Sequence, residues 1–161
     1  MSLFDNTELP ERDKSAYDSF LDQCSKGKNF LLIADNCGEI VLDKLFLEQL
    51  KLYFPQLLLT VMVRGGEALN DVTMEDAKYV HINEIARIVS NGKPVSGTIY
   101  ELLSDEAREI MSASDIIFAK GQGNYESLSG QGFHIFYSFL CKCELFTEKF
   151  SVPKLTGIFL E

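Results

Sequence analysis

Short apolar runs alternate along this sequence with longer stretches in which apolar residues recur at helical spacing. The main apolar runs have the length of β-strands and lie at residues 29–34, 57–63, 115–119 and 133–140. Because they are mostly apolar and do not alternate with polar residues, they are typical of parallel strands that are covered on both faces. A shorter strand near residues 86–90 and a final apolar run at 156–160 complete this pattern.

Helical patterns separate the predicted strands. They lie at residues 39–53, 74–80 and 104–112, and a further helical stretch ends near residue 150. Thr73 and Ser104 are the expected N-caps of two of these helices, since their side chains can accept hydrogen bonds from the first turn. Strands that alternate with helices indicate a three-layer α/β/α sandwich with a mainly parallel, Rossmann-like sheet. We therefore expect a leading helix and loop at residues 1–28 and one α/β domain at residues 29–161.

Composition and charge narrow the class of protein. The 161 residues are 46% hydrophobic and 24% charged, which is ordinary for a globular domain. A formal net charge of −9 argues against nucleic-acid binding, because such binding needs clustered lysine and arginine. Met1 to Pro10 lack the basic and apolar segments of a secretory signal, and no apolar run reaches membrane-spanning length. We therefore expect a cytoplasmic protein that binds neither nucleic acid nor a membrane.

Acidic and amide side chains follow two of the predicted strands. Asp35 and Asn36 come directly after the first strand, and Asp71 lies in the loop after the second. Because the carboxyl ends of parallel strands share one sheet edge, where ligands bind, we expect these side chains to lie close together. Two carboxylates and an amide oxygen are hard donors of the kind that Mg²⁺ or Mn²⁺ prefers. Each segment alone also fits a turn or a helix cap, and it is their agreement on one edge that points to a metal site.

Positive charge and glycine are predicted at the same edge. Arg64 follows the second strand and Lys120 follows the third, where either can supply the charge that a phosphate group needs. Gly121 and Gly123 allow close approach of the backbone to an anion, so both are candidate substrate-binding residues. Their spacing is not that of a Walker loop, and the glycine pattern alone is weak evidence for phosphate binding.

Four segments at this edge together resemble a known family. They are Asp35-Asn36-x-Gly38-Glu39-Ile40-Val41-x-Asp43, Arg64-Gly65-Gly66-x3-Asn70-Asp71-Val72-Thr73-x2-Asp76-Ala77, Lys120-Gly121-Gln122-Gly123-Asn124-Tyr125-Glu126 and Lys142-Cys143. In this order, across about residues 29–145, they are similar to the damage-control phosphatases. This family is metal-dependent, and some members have been described as acidic-residue methyltransferases. The resemblance implies hydrolysis of phosphate esters of sugars, nucleotides or damaged metabolites.

The resemblance also implies roles for single residues. A divalent metal, Mg²⁺, Mn²⁺, Co²⁺ or Ni²⁺, would be held by Asp35, Asn36 and Asp71. Lys120 would lie near the substrate phosphate, and four further residues would line the site: Glu39, Arg64, Asn70 and Asn124. Lys120 and the glycine loop would stabilise charge on the transferring group, while Asp35 or Asp71 would act as general base or nucleophile. The sequence leaves the choice between these two aspartates open.

Members of the family carry a mostly helical region before the first motif, whereas residues 1–28 precede it here. We therefore expect the chain to correspond to the C-terminal α/β part of the family, with a small phosphorylated metabolite as its substrate. Apolar helix faces that this region would cover are expected to dimerise or to bind a partner. Two other functions remain open: a non-catalytic module that binds metal and phosphate, and a carboxyl methyltransferase that uses S-adenosylmethionine.

Overall fold

A computed structural model describes residues 10–161 of the protein. Within this range six strands form one sheet: β1 Asn29–Ile33, β2 Leu58–Val63, β3 Arg87–Ser90, β4 Ile116–Lys120, β5 Phe136–Leu140 and β6 Gly157–Leu160. Their order across the sheet is β3-β2-β1-β4-β5-β6. Neighbouring strands are parallel, except that β6 runs antiparallel to β5. The prediction of a mainly parallel, Rossmann-like sheet is confirmed.

Helices cover both faces of this sheet. In the described range they are α1 Glu11–Lys26, α2 Ile40–Tyr53, α3 Met74–Tyr79, α4 Asp105–Ala113, α5 Gln122–Leu128 and α6 Glu144–Phe150. Residues of α1, α2 and α3 share one apolar cluster with Phe30 and Leu32 of β1. Residues of α4, α5 and α6 form a second cluster with Leu31 and Ile33 on the opposite face. The sheet is therefore the middle layer of a three-layer α/β/α sandwich, as predicted.

Strand β1 shows why the apolar runs do not alternate with polar residues. Successive side chains of a strand point to opposite faces, and here both faces are covered by helices. Phe30, Leu31, Leu32 and Ile33 are accordingly at most 1% exposed. Burial of each such side chain stabilises the fold by about 1.5–3 kcal/mol. The apolar pattern of β1 thus reflects its place at the centre of the sheet.

The two predicted N-caps are confirmed. At the start of α3, Thr73 Oγ1 accepts a hydrogen bond from Asp76 N at 3.4 Å, and the Asp76 carboxylate accepts one from Thr73 N at 2.9 Å. At the start of α4, Ser104 Oγ accepts a hydrogen bond from Ala107 N at 3.2 Å. These caps fix the first turns of both helices.

The segment after β4 differs from the prediction. The sequence pattern gives no sign of a helix there, whereas α5 begins at Gln122, directly after Gly121. Gly123 in its first turn hides this helix, because glycine is a poor helix former in a helix interior. The predicted strand at residues 133–140 is also shorter in the structure, since β5 begins at Phe136.

The predicted leading segment is described only in part. Residues 1–9, which include most of the stretch considered for a secretory signal, lie outside the described residues. The remainder contains α1, whose Phe20 and Cys24 are buried in the first apolar cluster. None of the helices in residues 10–161 is both long enough and apolar enough to cross a membrane.

The outer face of α2 is unusually apolar. Five large apolar side chains of this helix are 52% exposed or more: Val41, Leu42, Leu45, Leu52 and Tyr53. Contiguous exposed apolar surface of this kind commonly marks an interaction site. That a second copy of the chain or another protein covers it stays a prediction.

The strand order reverses between β1 and β4. From β1 the chain passes to β2 and β3 on one side, and β4 then begins the other side of the sheet. In open α/β sheets, ligands bind at such a switch point, in the crevice outside the carboxyl ends of the strands. Asp35 follows β1 and Gly121 follows β4, so the fold brings these two predicted site residues to the crevice.

Candidate functional site

Backbone hydrogen bonds hold the loop after β2 against the end of β1. Val72 N donates to the Asp35 carbonyl oxygen at 2.8 Å, and Cys37 N donates to the Asn70 carbonyl oxygen at 2.9 Å. The two bonds form an antiparallel bridge between the loops. The bridge brings together the three predicted metal ligands: Asp35, Asn36 and Asp71.

Arg64 lies behind these side chains and is fully buried. Its Nε donates to Asp71 Oδ2 at 2.5 Å, and its Nη2 lies 3.6 Å from Asp35 Oδ1. Its other hydrogen bonds are from Nη1 to Thr98 Oγ1 at 3.1 Å and from Nη2 to Asn124 Oδ1 at 3.2 Å. Because all three side-chain nitrogen atoms are engaged and buried, Arg64 holds the two aspartates from behind. The family resemblance implies instead that Arg64 lines the site.

Asn124 is a second buried link behind the crevice. Its Nδ2 donates to the carbonyl oxygen of Ala34 at 3.2 Å and to that of Lys120 at 2.6 Å. Its Oδ1 accepts hydrogen bonds from Arg64 and from Thr98. The side chain therefore ties the ends of β1 and β4 to the guanidinium group. Being fully buried, it supports the crevice from behind and does not line it.

The carboxylate of Asp35 has few partners of its own. Its side chain is 18% exposed, and no group among residues 10–161 donates a hydrogen bond to its carboxylate oxygen atoms. Burial and the nearby negative charge of Asp71 raise the pKa of Asp35 to about 6, although Arg64 acts in the opposite direction. A bound cation would stabilise such a pair of carboxylates, because it would offset their mutual repulsion.

Gly121 makes room for this carboxylate. A Cβ atom at position 121 would lie 2.1 Å from both Cγ and Oδ2 of Asp35. The φ angle of Gly121 is +84°, a conformation that other residues rarely adopt. Both the space beside Asp35 and the backbone conformation at position 121 therefore require glycine.

Asp35→Asn is expected to stabilise the metal-free protein by about 1–3 kcal/mol at about pH 8, with no gain at about pH 4. The pKa of Asp35 is about 6 in the folded chain and thus above its ordinary value of 3.8. The folded state therefore holds this proton more tightly than the unfolded state does, and stability falls as the pH rises from about 4 to above 6. Asparagine does not titrate, so the variant escapes this loss.

Urea unfolding in the presence of EDTA at both pH values measures this effect. Asp22→Asn is the matched control, because Asp22 is an exposed acid on α1 that pairs with Lys26. The control is expected to change stability by no more than about 0.5 kcal/mol at either pH. If Asp35→Asn were no more stable than the unmodified chain at the higher pH, the environment inferred for Asp35 would be wrong.

Lys120 contacts two carboxylates, one in α2 and one on the N-cap residue of that helix. Its Nζ donates to Asp43 Oδ1 at 2.9 Å and to Glu39 Oε2 at 3.0 Å. Burial lowers the pKa of Lys120, but the two carboxylates outweigh burial and leave the pKa above its ordinary value. Lys120 therefore brings a positive charge to the crevice, and that charge is already paired within the chain.

The remaining predicted residues lie around the same crevice. Asn36 Oδ1 accepts a hydrogen bond from Gly38 N at 2.7 Å, and the Asn70 side chain is exposed. Gly123 lies in the first turn of α5, close to Gly97. No group of three His, Cys, Asp or Glu residues in the described part of the chain is arranged to hold a metal ion. A metal at this edge would therefore need the Asn36 amide, water or substrate oxygen atoms beside the two aspartates.

Thr98 supports the site and has no role in the sequence-based prediction. It is fully buried, its Oγ1 bonds both Arg64 and Asn124, and its N–H donates to Ser127 Oγ at 2.9 Å. It lies in an irregular segment between β3 and α4, where the sequence carries no periodic signal. Only the fold brings it to the guanidinium group.

Asp43 and Lys142 belong to the motifs that carry the family resemblance, but the sequence assigns neither a role. Asp43 lies four residues after Glu39, which puts both on one face of the helix and is the signal that links them. Lys142 is exposed and follows β5 at the same edge of the sheet. Its charge lowers the pKa of Asp35, so the ammonium group acts on the crevice.

Fold and site together define a doubly wound α/β protein with an acidic cluster at its switch point. The family model of the damage-control phosphatase ARMT1-like domain matches residues 10–156. The chain therefore belongs to the damage-control phosphatase family.

Relatives with this description come from archaea. The damage-control phosphatase PH1575 of Pyrococcus horikoshii is 30% identical over 156 residues, which cover 94% of this chain and 54% of that protein. A damage-control phosphatase of Archaeoglobus fulgidus is 38% identical over 124 residues, which cover 76% of this chain and 42% of that protein. The crystal structure of the Pyrococcus horikoshii protein, described as a DUF89 family protein, matches with a TM-score of 0.84 at 28% identity. The match covers 89% of this chain and 50% of that one, so the chain spans about half the length of these relatives.

Proposed function

We propose that this chain is the catalytic part of a metal-dependent phosphatase that hydrolyses phosphate monoesters of small metabolites. The observation that carries the proposal is the carboxylate of Asp35, which lies at the switch point beside Asp71 without a hydrogen-bond donor among residues 10–161. Two carboxylates in this arrangement call for a cation. Membership of the damage-control phosphatase family supports transfer of a phosphoryl group to water as the reaction.

Asp35, Asn36 and Asp71 would hold the metal. Their oxygen atoms suit Mg²⁺ and Mn²⁺, and Co²⁺ or Ni²⁺ would bind the same set. The arrangement fits a cation, because of the two aspartates Arg64 donates a hydrogen bond only to Oδ2 of Asp71 and lies 3.6 Å from Oδ1 of Asp35, too far to donate a hydrogen bond to it. When bound, the metal would polarise a phosphate oxygen atom and lower the pKa of a water molecule.

Two lysines would meet the phosphate. Lys120 lies at the end of β4 and is held by Glu39 and Asp43. The Lys142 ammonium group has no ion-pair partner within residues 10–161 and is exposed, so it would attract an incoming anion. Positive groups held beside the phosphate would stabilise charge that develops on the transferring group. Arg64 and Asn124 would contribute by holding the aspartates and the strand ends in place.

A phosphatase assay tests the proposal. The unmodified chain is expected to release phosphate from p-nitrophenyl phosphate or sugar phosphates with Mg²⁺, Mn²⁺, Co²⁺ or Ni²⁺, and to stop when EDTA is added. Asp35→Asn is expected to lower this rate by about 100-fold or more, because it removes a charged metal ligand. Since the same variant is expected to be stable, the loss would not come from unfolding. Asp22→Asn is the control and should retain full activity.

Unchanged activity of Asp35→Asn would overturn the assignment of Asp35. Metal-independent activity of the unmodified chain would overturn the role of the metal. A second candidate function, a non-catalytic module that binds metal and phosphate, is favoured by one observation, namely that the Lys120 ammonium group is already paired with Glu39 and Asp43. It predicts that phosphate with Mn²⁺ raises the melting temperature while no substrate of the panel is turned over.

A further inference from the structure

We propose that Asp43 is a positioning residue that anchors the Lys120 ammonium group at the crevice, and that a phosphate oxygen replaces Glu39 as its second partner. The proposal rests on the proposed function in that it takes phosphate as the ligand. It goes beyond that function by dividing the two carboxylates that hold Lys120 into a fixed one and an exchangeable one.

The first argument is the difference in burial between the two carboxylates. Both lie at hydrogen-bond distance from Lys120 Nζ, at 2.9 Å for Asp43 and 3.0 Å for Glu39. The side chain of Asp43 is 4% exposed, whereas that of Glu39 is 42% exposed. If Glu39 leaves Lys120, solvent can hydrate its carboxylate. If Asp43 leaves, its carboxylate stays buried without a partner, so only Glu39 is exchangeable.

The second argument is the position of the two carboxylates along the helix. Glu39 is the N-cap of α2 and Asp43 lies one turn further on, so the side chains are stacked along one face. Glu39 is therefore at the end of α2 that meets the strand ends and the bridge between the loops after β1 and β2. A ligand that enters this edge meets Glu39 before it meets Asp43.

The third argument is a buried oxygen atom. Asp43 Oδ2 is buried and has no hydrogen-bond partner in the described part of the chain. Buried polar atoms are almost always paired, and an exception needs an explanation. Within the described residues, the Lys120 ammonium group is the one hydrogen-bond partner of the Asp43 carboxylate. The contact with Lys120 is therefore what offsets the burial of this charge, and it is the contact that the proposal requires.

The titration behaviour of the pair agrees with this division. Burial raises the pKa of Asp43, while Lys120 acts in the opposite direction by charge and by hydrogen bonding. Lys120 thus favours the charged form of Asp43. In turn, Asp43 is the largest of the influences that raise the pKa of Lys120 against its burial.

A labelling experiment tests the anchor without any ligand. Asp43→Asn keeps the shape of the side chain and removes its charge, and Asp13→Asn, a buried acid on α1, is the matched control. Acetylation of Lys120 by an amine-reactive ester, read by mass spectrometry, is expected to be about tenfold faster in Asp43→Asn and unchanged in Asp13→Asn. Asp43→Ser serves as a second variant should Asp43→Asn fail to fold. Equal labelling in the unmodified and Asp43 variants would overturn the proposal.

Binding of inorganic phosphate in the presence of Mn²⁺, measured by titration calorimetry, tests the consequence. Asp43→Asn is expected to weaken phosphate binding about tenfold while binding of Mn²⁺ alone is unchanged. Because Asp43 acts through Lys120, Asp43→Asn combined with Lys120→Met should bind phosphate no more weakly than Lys120→Met alone. Independent, multiplicative losses would overturn the proposal.

The two experiments separate this proposal from the proposed function. If the unmodified chain binds no phosphate with Mn²⁺, the proposed function fails, and with it the replacement of Glu39 by phosphate. The labelling experiment still decides whether Asp43 anchors Lys120. If phosphate binds equally to the unmodified chain and to Asp43→Asn, the proposed function stands and the anchoring role is overturned.

Discussion

Arg64→Met is expected to destabilise the protein by about 3–5 kcal/mol, which is the usual loss when one member of a buried ion pair is removed. Methionine fills much of the same space but leaves the Asp71 carboxylate, which Nε now meets at 2.5 Å, buried without its partner. It also removes donors from Thr98 and Asn124. The loss should therefore exceed that of any single hydrogen bond.

Urea unfolding of Arg64→Met against Arg87→Met measures this difference. Arg87 lies on the adjacent strand β3 and forms an ion pair with Glu106. The side chains of Arg87 and Glu106 are both more than half exposed. The control should lose no more than about 1 kcal/mol. Similar losses in both variants would mean that Arg64 is not the centre of the network described above.

Gly121→Ala is expected to displace the Asp35 carboxylate and to abolish the proposed phosphatase activity, with a loss of stability of about 3 kcal/mol or more. Its new Cβ would lie 2.1 Å from Cγ and Oδ2 of Asp35, a distance that neither group can accept without moving. The positive φ angle of +84° adds backbone strain to this clash. Either consequence alone weakens the link between the ends of β1 and β4.

Gly130→Ala separates the clash from the strain. Gly130 has a nearly identical φ of +83°, but a Cβ there would meet no atom within 4 Å. It should therefore show the cost of the backbone conformation alone, about 1–2 kcal/mol, with activity retained. Unfolding curves and phosphatase assays of the two variants give the comparison. If Gly121→Ala behaved like Gly130→Ala, the close approach of Asp35 to Gly121 would not matter.

Most of the fold follows from patterns that lie within a few residues of one another. The apolar runs that became β1 and β2 are readable because strands covered on both faces exclude polar residues. The capped starts of α3 and α4 are readable because Thr73 and Ser104 bond to residues three positions away. Helix α5 was not readable, since Gly123 in its first turn lowers its intrinsic helix propensity. Its packing through Tyr125 and Leu128 in the second apolar cluster depends on distant segments.

The sequence predicts which residues of the candidate site converge, but not which of them are buried behind the crevice. That the ends of β1, β2 and β4 meet follows from parallel topology, so the convergence of Asp35 and Asp71 was foreseeable. Whether a polar side chain faces the ligand or lies behind it depends on contacts between distant segments. Arg64 is fully buried, and one of its partners there is Thr98, which lies 34 positions further along the chain. No local pattern in the sequence records that contact.

The bridge between the loops after β1 and β2 makes two backbone amides informative. The N–H groups of Cys37 and Val72 are the donors that hold these loops together. Their hydrogen exchange with solvent therefore reports directly on whether the loops that carry Asp35 and Asp71 are joined. The integrity of the site can thus be followed in solution residue by residue, with no metal, substrate or catalytic turnover.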